Sequence, residues 1–254
     1  MSNIQPSFFF LPDITGFTNF VNRTEVSHQE HIISELLNLL VDEEQLGLDL
    51  VEVEGDALFF LKHKEVPPAN AFFEQLQRMF VKFHTHLQNY DTNRICQCGA
   101  CSSATGMSLK FFVHVGYFNF LTIKGEKKPH GKEIIIVHRL MKNEVPSREY
   151  ALVTDATFDH WKAAGQEFSL AENLELKPLL ADFGEDDVGV VPFKFAELTN
   201  LRKLVKPLPP LAFDEKDPNP IVFETSINVP VLETFEKLSN FRYRLNWNKG
   251  LKDL

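Results

Sequence analysis

Two stretches of the 254-residue chain decide its fold: Phe10-Leu-Pro-Asp-Ile-Thr-Gly-Phe-Thr18 and Val53-Glu-Gly-Asp-Ala-Leu-Phe-Phe60. Each places one aspartate near a glycine at the edge of an apolar run, and a strongly helical stretch separates them. If the two apolar runs pair as strands, Asp13 and Asp56 meet at one end of a sheet. Two carboxylates beside a turn rich in backbone N–H groups are the donor set that a divalent cation and a triphosphate require.

Working outward, the patterning predicts a strand over residues 7–11 and a helix over 20–46, the latter from Ile32, Ile33, Leu36, Leu37 and Leu40 at helical spacing. Alternation predicts strands over 48–53 and 57–61, with Glu54-Gly55-Asp56 as the hairpin turn. Pro67-Pro68 opens a second helix whose Phe72, Phe73, Leu76, Phe80, Phe83 and Leu87 share one face. Residues 90–105 read as a polar loop. Strands are predicted over 109–115, 118–123, 150–154 and 188–198, and helices over 131–143 and 156–164. The fold class is therefore α+β, and its first part carries the β-α-β-β-α-β run of a ferredoxin-like layer. Such a layer is open on one face. The 24 phenylalanines call for a thick aromatic core or a buried dimer interface.

The organisation divides into a domain over 1–200, an extended linker over 201–220 marked by Pro207, Pro209, Pro210, Pro218 and Pro220, and a segment over 221–254. That last segment reads as one strand and one helix, too little to build a core of its own.

Composition narrows the function classes. With 26 basic and 35 acidic side chains the net charge is −9, which argues against a general nucleic-acid or anionic-membrane binder. No apolar run approaches the ~20 residues that span a bilayer, and the N-terminus lacks a signal-peptide pattern. The expected location is cytoplasmic. The three cysteines, Cys96, Cys98 and Cys101, form a tight C-x-C-x-x-C. Close thiolates suit Zn²⁺, with His84 or His86 as candidate fourth ligands; reduced loop cysteines are the alternative.

The paired segments resemble the class III adenylate/guanylate cyclase catalytic domain. That family opens with Phe-x-Asp-Ile-x-Gly-Phe-Thr, which stands here as Leu11-Pro-Asp-Ile-Thr-Gly-Phe-Thr18, and its second metal aspartate lies in a Gly-Asp hairpin, here Gly55-Asp56. A His-x-Gly strand end matches His114-Val-Gly116. A glycine leading into an Arg-Leu helix matches Gly131 to Leu140. The resemblance covers roughly residues 7–198. It implies Mg²⁺ or Mn²⁺ on Asp13, Asp56 and the carbonyl of Ile14, a nucleoside triphosphate on the backbone of Ile14, Thr15, Gly16 and Phe17, and a homodimer in which Arg139 is donated from the partner copy. A helix dipole after Gly16 is expected to help hold phosphate.

The departures are informative. The family's ribose-orienting asparagine falls on Ile135, which carries no hydrogen-bonding group. The base-reading positions fall on Glu52, similar to the glutamate of guanylyl enzymes, and near Lys128. The late triphosphate lysine has no match. The resemblance thus implies a divergent protein that binds nucleotide and metal, with catalysis weak or lost. The alternative is a non-catalytic interaction or apolar-ligand module with a vestigial site. In support of that alternative, residues 221–254 are similar to the opening of a START-like helix-grip domain.

Overall fold

The structure, a computed structural model, describes residues 5–22, 26–92, 103–170, 174–207, 226 and 228–239. The chain runs β1 (Ser7–Thr15), α1 (Phe17–Val21), α2 (Val26–Asp42), β2 (Asp49–Glu54), β3 (Ala57–Lys62) and α3 (Ala69–Thr92). It continues through β4 (Ser108–Gly116), β5 (Asn119–Ile123), β6 (Glu126–His130), α4 (Lys132–Leu140), β7 (Tyr150–Thr154) and α5 (Asp155–Ala163). It closes with β8 (Lys177–Asp182), β9 (Val190–Glu197), a 3₁₀ turn (Thr199–Leu204) and α6 (Val231–Ser239).

Seven strands form one mixed, mainly antiparallel sheet in the order β2-β3-β1-β4-β7-β9-β8, while β5 and β6 form a separate ribbon. β1 lies between β3 and β4, antiparallel to both. The β4–β7 pairing is parallel.

β1 is longer than the predicted strand because β4 pairs along its whole length, from Ser7 opposite Gly116 to Thr15 opposite Ser108. On its other edge the register with β3 holds at Phe8 to Phe10 and resumes at Asp13. The gap includes Pro12, which has no N–H to give a ladder. The predicted long helix over 20–46 is two elements, and the first, α1, is only five residues. The turn after Gly16 therefore offers N–H groups with little of the expected macrodipole behind them.

Side-chain alternation sends the phenylalanines of β1 to both faces. Phe8 and Phe10 pack with Phe60 and Phe111 under Leu36 and Leu40 of α2, Phe72 and Phe80 of α3, and Trp161 of α5. Phe9 and Leu11 pack with Phe59, Phe112 and Phe195 under Ile136, Val137 and Leu140 of α4. Both faces of the sheet are thus covered, which corrects the expected open face. Phe8, Phe9 and Phe10 are fully buried within one chain. Each such ring contributes about 1.5–3 kcal/mol, and these three are buried without a partner chain.

β6 and β8 escape periodicity because both are mostly solvent-facing and each contains a proline, Pro129 and Pro178. They are held by backbone pairing to β5 and β9 rather than by an apolar face. The cysteine cluster, Trp247 and most of the segment over 221–254 lie outside the described residues. α6 begins after Pro230, whose carbonyl accepts from Thr234 N–H at 3.1 Å.

Candidate functional site

Asp13 sits near the end of β1 and Asp56 in the hairpin turn between β2 and β3. Asp13 is in register with Ala57, and Ile14 N–H donates to the Asp56 carbonyl at 3.0 Å. The β1–β3 pairing therefore brings the two aspartates to one end of the sheet. The turn needs Gly55, whose φ is +68°.

Burial disfavours the ionised form of both carboxyls. Burial, and next the charge of Asp56, raise the Asp13 carboxyl from 3.8 to about 6, with Lys110 opposing. Burial also raises Asp56, opposed by its own backbone N–H and by Lys110. Lys110 stands opposite Asp13 on β4 and lies over the ring of Tyr150 at 5.5 Å. Two acids disfavoured as anions and adjacent to a backbone carbonyl are hard oxygen donors of the kind Mg²⁺ and Mn²⁺ accept. The donor chemistry fits such an ion.

Beyond Asp13 the chain makes a tight turn. Ile14 is buried, Gly16 adopts the left-handed conformation at φ +92°, and Phe17 begins α1 with no side chain capping its first turn. The Thr15 hydroxyl is buried without a hydrogen-bond partner among the described residues. An orphaned hydroxyl one residue from the turn is a polar group in want of a ligand. Ile14, Thr15, Gly16 and Phe17 thus adjoin Asp13 and Asp56.

The remaining predicted residues lie on β2, the β5–β6 ribbon and α4. Glu52 is exposed on β2, opposite Phe59 and two residues before Glu54, which accepts from or pairs with His138 of α4 at 2.6 Å. Lys128 is exposed on the β5–β6 ribbon, opposite Leu121. Arg139 is half-exposed on α4 and ion-paired with Asp187 of the β8–β9 turn at 2.8 Å. It lines a groove of about 480 Å³ with Glu54, Ile134, Ile135, His138, Met141 and Lys142. Ile135, at the expected asparagine position, is 47% exposed. The cysteine trio lies outside the described residues, and among those described no cluster of three metal-type side chains occurs. His84 is turned into the core, where burial, then Arg202, lower it to about 4 against the pull of Glu149. Its Nε2 lies 3.2 Å from the Ser108 hydroxyl.

His114, in an apolar strand, reads from sequence as a satisfied core residue, and it is one. Its Nδ1 lies 2.9 Å from the Thr154 hydroxyl and its Nε2 2.6 Å from Glu133. Sequence reasoning missed Lys110, because only cross-strand register puts it opposite Asp13. It also missed Arg148, whose guanidinium reaches the Gly16 turn. Among the late lysines, Lys177 is paired with Glu197 and Lys194 with Asp155.

Comparisons with known proteins bear on the fold. A family model described as a protein of unknown function (DUF2652) matches residues 33–150. An uncharacterized protein of Mycobacterium tuberculosis is 31% identical over 126 residues, which is 48% of this chain and 57% of that protein. The chain therefore spans little more than half the length of that curated relative. Among solved structures, the catalytic core of a rhodopsin-guanylyl cyclase with converted specificity, in complex with ATPαS, superposes with TM-score 0.51 at 16% identity, covering 76% of this chain and 96% of that one. The guanylate cyclase domain of RhGC from Catenaria anguillulae, in complex with GTP, gives 0.50 at 17% identity over 76% and 96%. The adenylyl cyclase CyaB from P. aeruginosa gives 0.50 at 14% identity over 75% and 93%. The chain has the mixed α+β fold of the adenylyl and guanylyl cyclase catalytic domains.

Proposed function

We propose that this chain binds a nucleoside triphosphate together with Mg²⁺ or Mn²⁺, and that its turnover to a cyclic product is weak or lost. The observation that carries the reading is the joining of Asp13 and Asp56 through the Ile14–Asp56 backbone bond, beside an uncapped glycine turn. Asp13, Asp56 and the Ile14 carbonyl would hold the cation. When bound, it neutralises triphosphate charge and activates a hydroxyl nucleophile. The N–H groups of Ile14 to Phe17 would bind phosphate oxygens, and Lys110 supplies a compensating positive charge.

The reading of weak turnover rests on α4. Ile135 offers no hydrogen bond to a ribose, and Arg139 is engaged by an acid of its own chain. We also propose a homodimer, supported by the exposed apolar side chains Tyr117, Phe120, Leu121 and Ile123 on and before the β5–β6 ribbon. The order β2-β3-β1-β4 of the first four strands supports the ferredoxin-like layer.

The test is calorimetric titration of Mn·ATP and Mn·GTP, with product analysis of the same mixtures. Metal-dependent binding that disappears in Asp13→Ala and Asp56→Ala is expected, with little cyclic product. Absence of binding of both nucleotides at millimolar concentration would overturn the reading.

A further inference from the structure

We propose that Arg148 is a phosphate-binding residue of this site, forming with the Gly16 turn a subsite for the terminal phosphates of the triphosphate. The inference rests on the reading above and supplies the cation that the sequence lacks at the late lysine position.

The geometry begins with Gly16. A Cβ there would stand 3.2 Å from Arg148 Nη2, 3.3 Å from the Gly106 carbonyl and 3.6 Å from Met107 Cα. The guanidinium therefore lies directly on the glycine turn, in space that any side chain at position 16 would claim. Beside it is a cavity of about 230 Å³ lined by Gly16, Asn19, Ser103, Thr105, Gly106 and Arg148, together with Phe20. A phosphate group is small enough to enter a space of that size.

Charge bookkeeping singles out this arginine. Among the described residues, Arg78 is paired with Glu43, Arg139 with Asp187 and Arg202 with Glu149. Arg148 has no carboxylate partner among them. Among the described residues its one hydrogen bond is to the Gly106 carbonyl at 3.5 Å, the outer limit of such a bond. In a chain of net charge −9, an unneutralised guanidinium held on a phosphate-type turn is the exception. Its planar fork of donors matches phosphate oxygens.

The backbone that presents Arg148 is fixed on both sides. Ser147 Oγ donates to the Glu149 carbonyl at 3.2 Å, and that carbonyl also accepts from Leu198 N–H at 3.1 Å. The Glu149 carboxylate is locked by Arg202 at 2.6 Å and by Ser108 Oγ at 2.6 Å. The arginine thus projects from a rigid base toward the turn, so ordering its guanidinium on a ligand costs little beyond its own rotamers.

The test compares wild type, Arg148→Ala and Arg148→Lys by calorimetry, using Mn·ATP, Mn·GTP, AMP, GMP and metal-free inorganic tripolyphosphate. Arg148 is exposed, so the variants are expected to melt with the wild type. The expected result is a loss of about tenfold to a hundredfold in triphosphate and tripolyphosphate affinity in Arg148→Ala, as for a lost charge-assisted hydrogen bond. Arg148→Lys recovers part of it, and monophosphate affinity stays within about twofold. Wild-type triphosphate affinity in Arg148→Ala overturns the subsite and leaves the nucleotide reading standing. Failure of wild type to bind nucleotide, with tripolyphosphate binding that depends on Arg148, overturns the nucleotide reading and supports the subsite. Failure of wild type to bind either one overturns both.

Discussion

Arg139 and Asp187 form an ion pair 2.8 Å apart within a single chain. The arginine that the resemblance to nucleotide cyclases assigns to a partner copy's nucleotide is here paired with an acid on the β8–β9 turn. Both side chains are part-exposed, so the pair contributes only about 0–1 kcal/mol to stability. Its consequence is for availability. Asp187→Ala is expected to shift the melting temperature little and to raise Mn²⁺-dependent cyclic product formation severalfold above wild type. Arg139→Ala is expected to abolish whatever product wild type makes. Product quantification by mass spectrometry checks both; equal yields from wild type and Asp187→Ala would show that the pair restrains nothing.

Asp13 gives a pH signature for the metal-free protein. Its folded-state value of about 6 lies above the ordinary 3.8. Such a group stabilises the fold fully below its unfolded value, and that contribution is lost as pH rises through about 6. The difference corresponds to about 3 kcal/mol at neutral pH. Asp13→Asn is therefore expected to stabilise the metal-free protein by up to about 3 kcal/mol at pH 7.5, and by almost nothing near pH 4. Mn²⁺ reverses the order, because only the wild type gains binding free energy. Urea unfolding of both proteins at the two pH values, with and without Mn²⁺, measures this directly, and the difference between proteins cancels the titrating groups remote from Asp13.

What the sequence made legible was local. Asp13, Gly16 and Asp56 announce themselves through turn chemistry and neighbouring apolar runs. Lys110 and Arg148 were not legible, because each reaches the site through non-local pairing: Lys110 by the β1–β4 register, and Arg148 by the approach of the residues before β7 to the end of β1. The Asp187 contact was hidden for the same reason, and also because β8 is an edge strand with exposed side chains and no alternation to read. The covered second face of the sheet depends on α4 folding back over Phe9 and Phe59, a tertiary fact that strand patterns do not carry.

Gly16 is predicted to be irreplaceable on two counts. Its φ of +92° strains any L side chain, and its Cβ position is claimed by Arg148 and by the Gly106 carbonyl. Gly16→Ala is expected to cost about 1–3 kcal/mol and to push the guanidinium off the turn. Chemical denaturation reports the first effect. The second would appear as reduced tripolyphosphate affinity, even at temperatures where the variant is fully folded.

The last prediction concerns Glu149, which ties three elements together. Burial opposes its ionisation, but hydrogen bonds from Arg202, Ser108 and Thr199 overcome this and hold it at about 2, below the ordinary 4.5. A depressed carboxyl contributes stability that is complete above its unfolded value and is lost as pH falls from about 4.5 toward 2. His84 acts in the same direction at higher pH. Lowered from 6.5 to about 4 mainly by burial, it favours the fold above 6.5 and costs stability as pH drops toward 4. Glu149→Gln keeps the shape but leaves the Arg202 side facing a neutral amide. Glu149 is buried but Arg202 is part-exposed, so losing the charge-assisted hydrogen bonds costs about 1.5–3 kcal/mol; the variant is expected to lose that much at pH 7 and to lose less stability than wild type between pH 4.5 and 2. Because residue 149 anchors the backbone beside Arg148, the same variant should also weaken tripolyphosphate binding, whereas Arg148→Ala should leave stability unchanged. That asymmetry separates the residue that touches the anion from the residue that holds it in place.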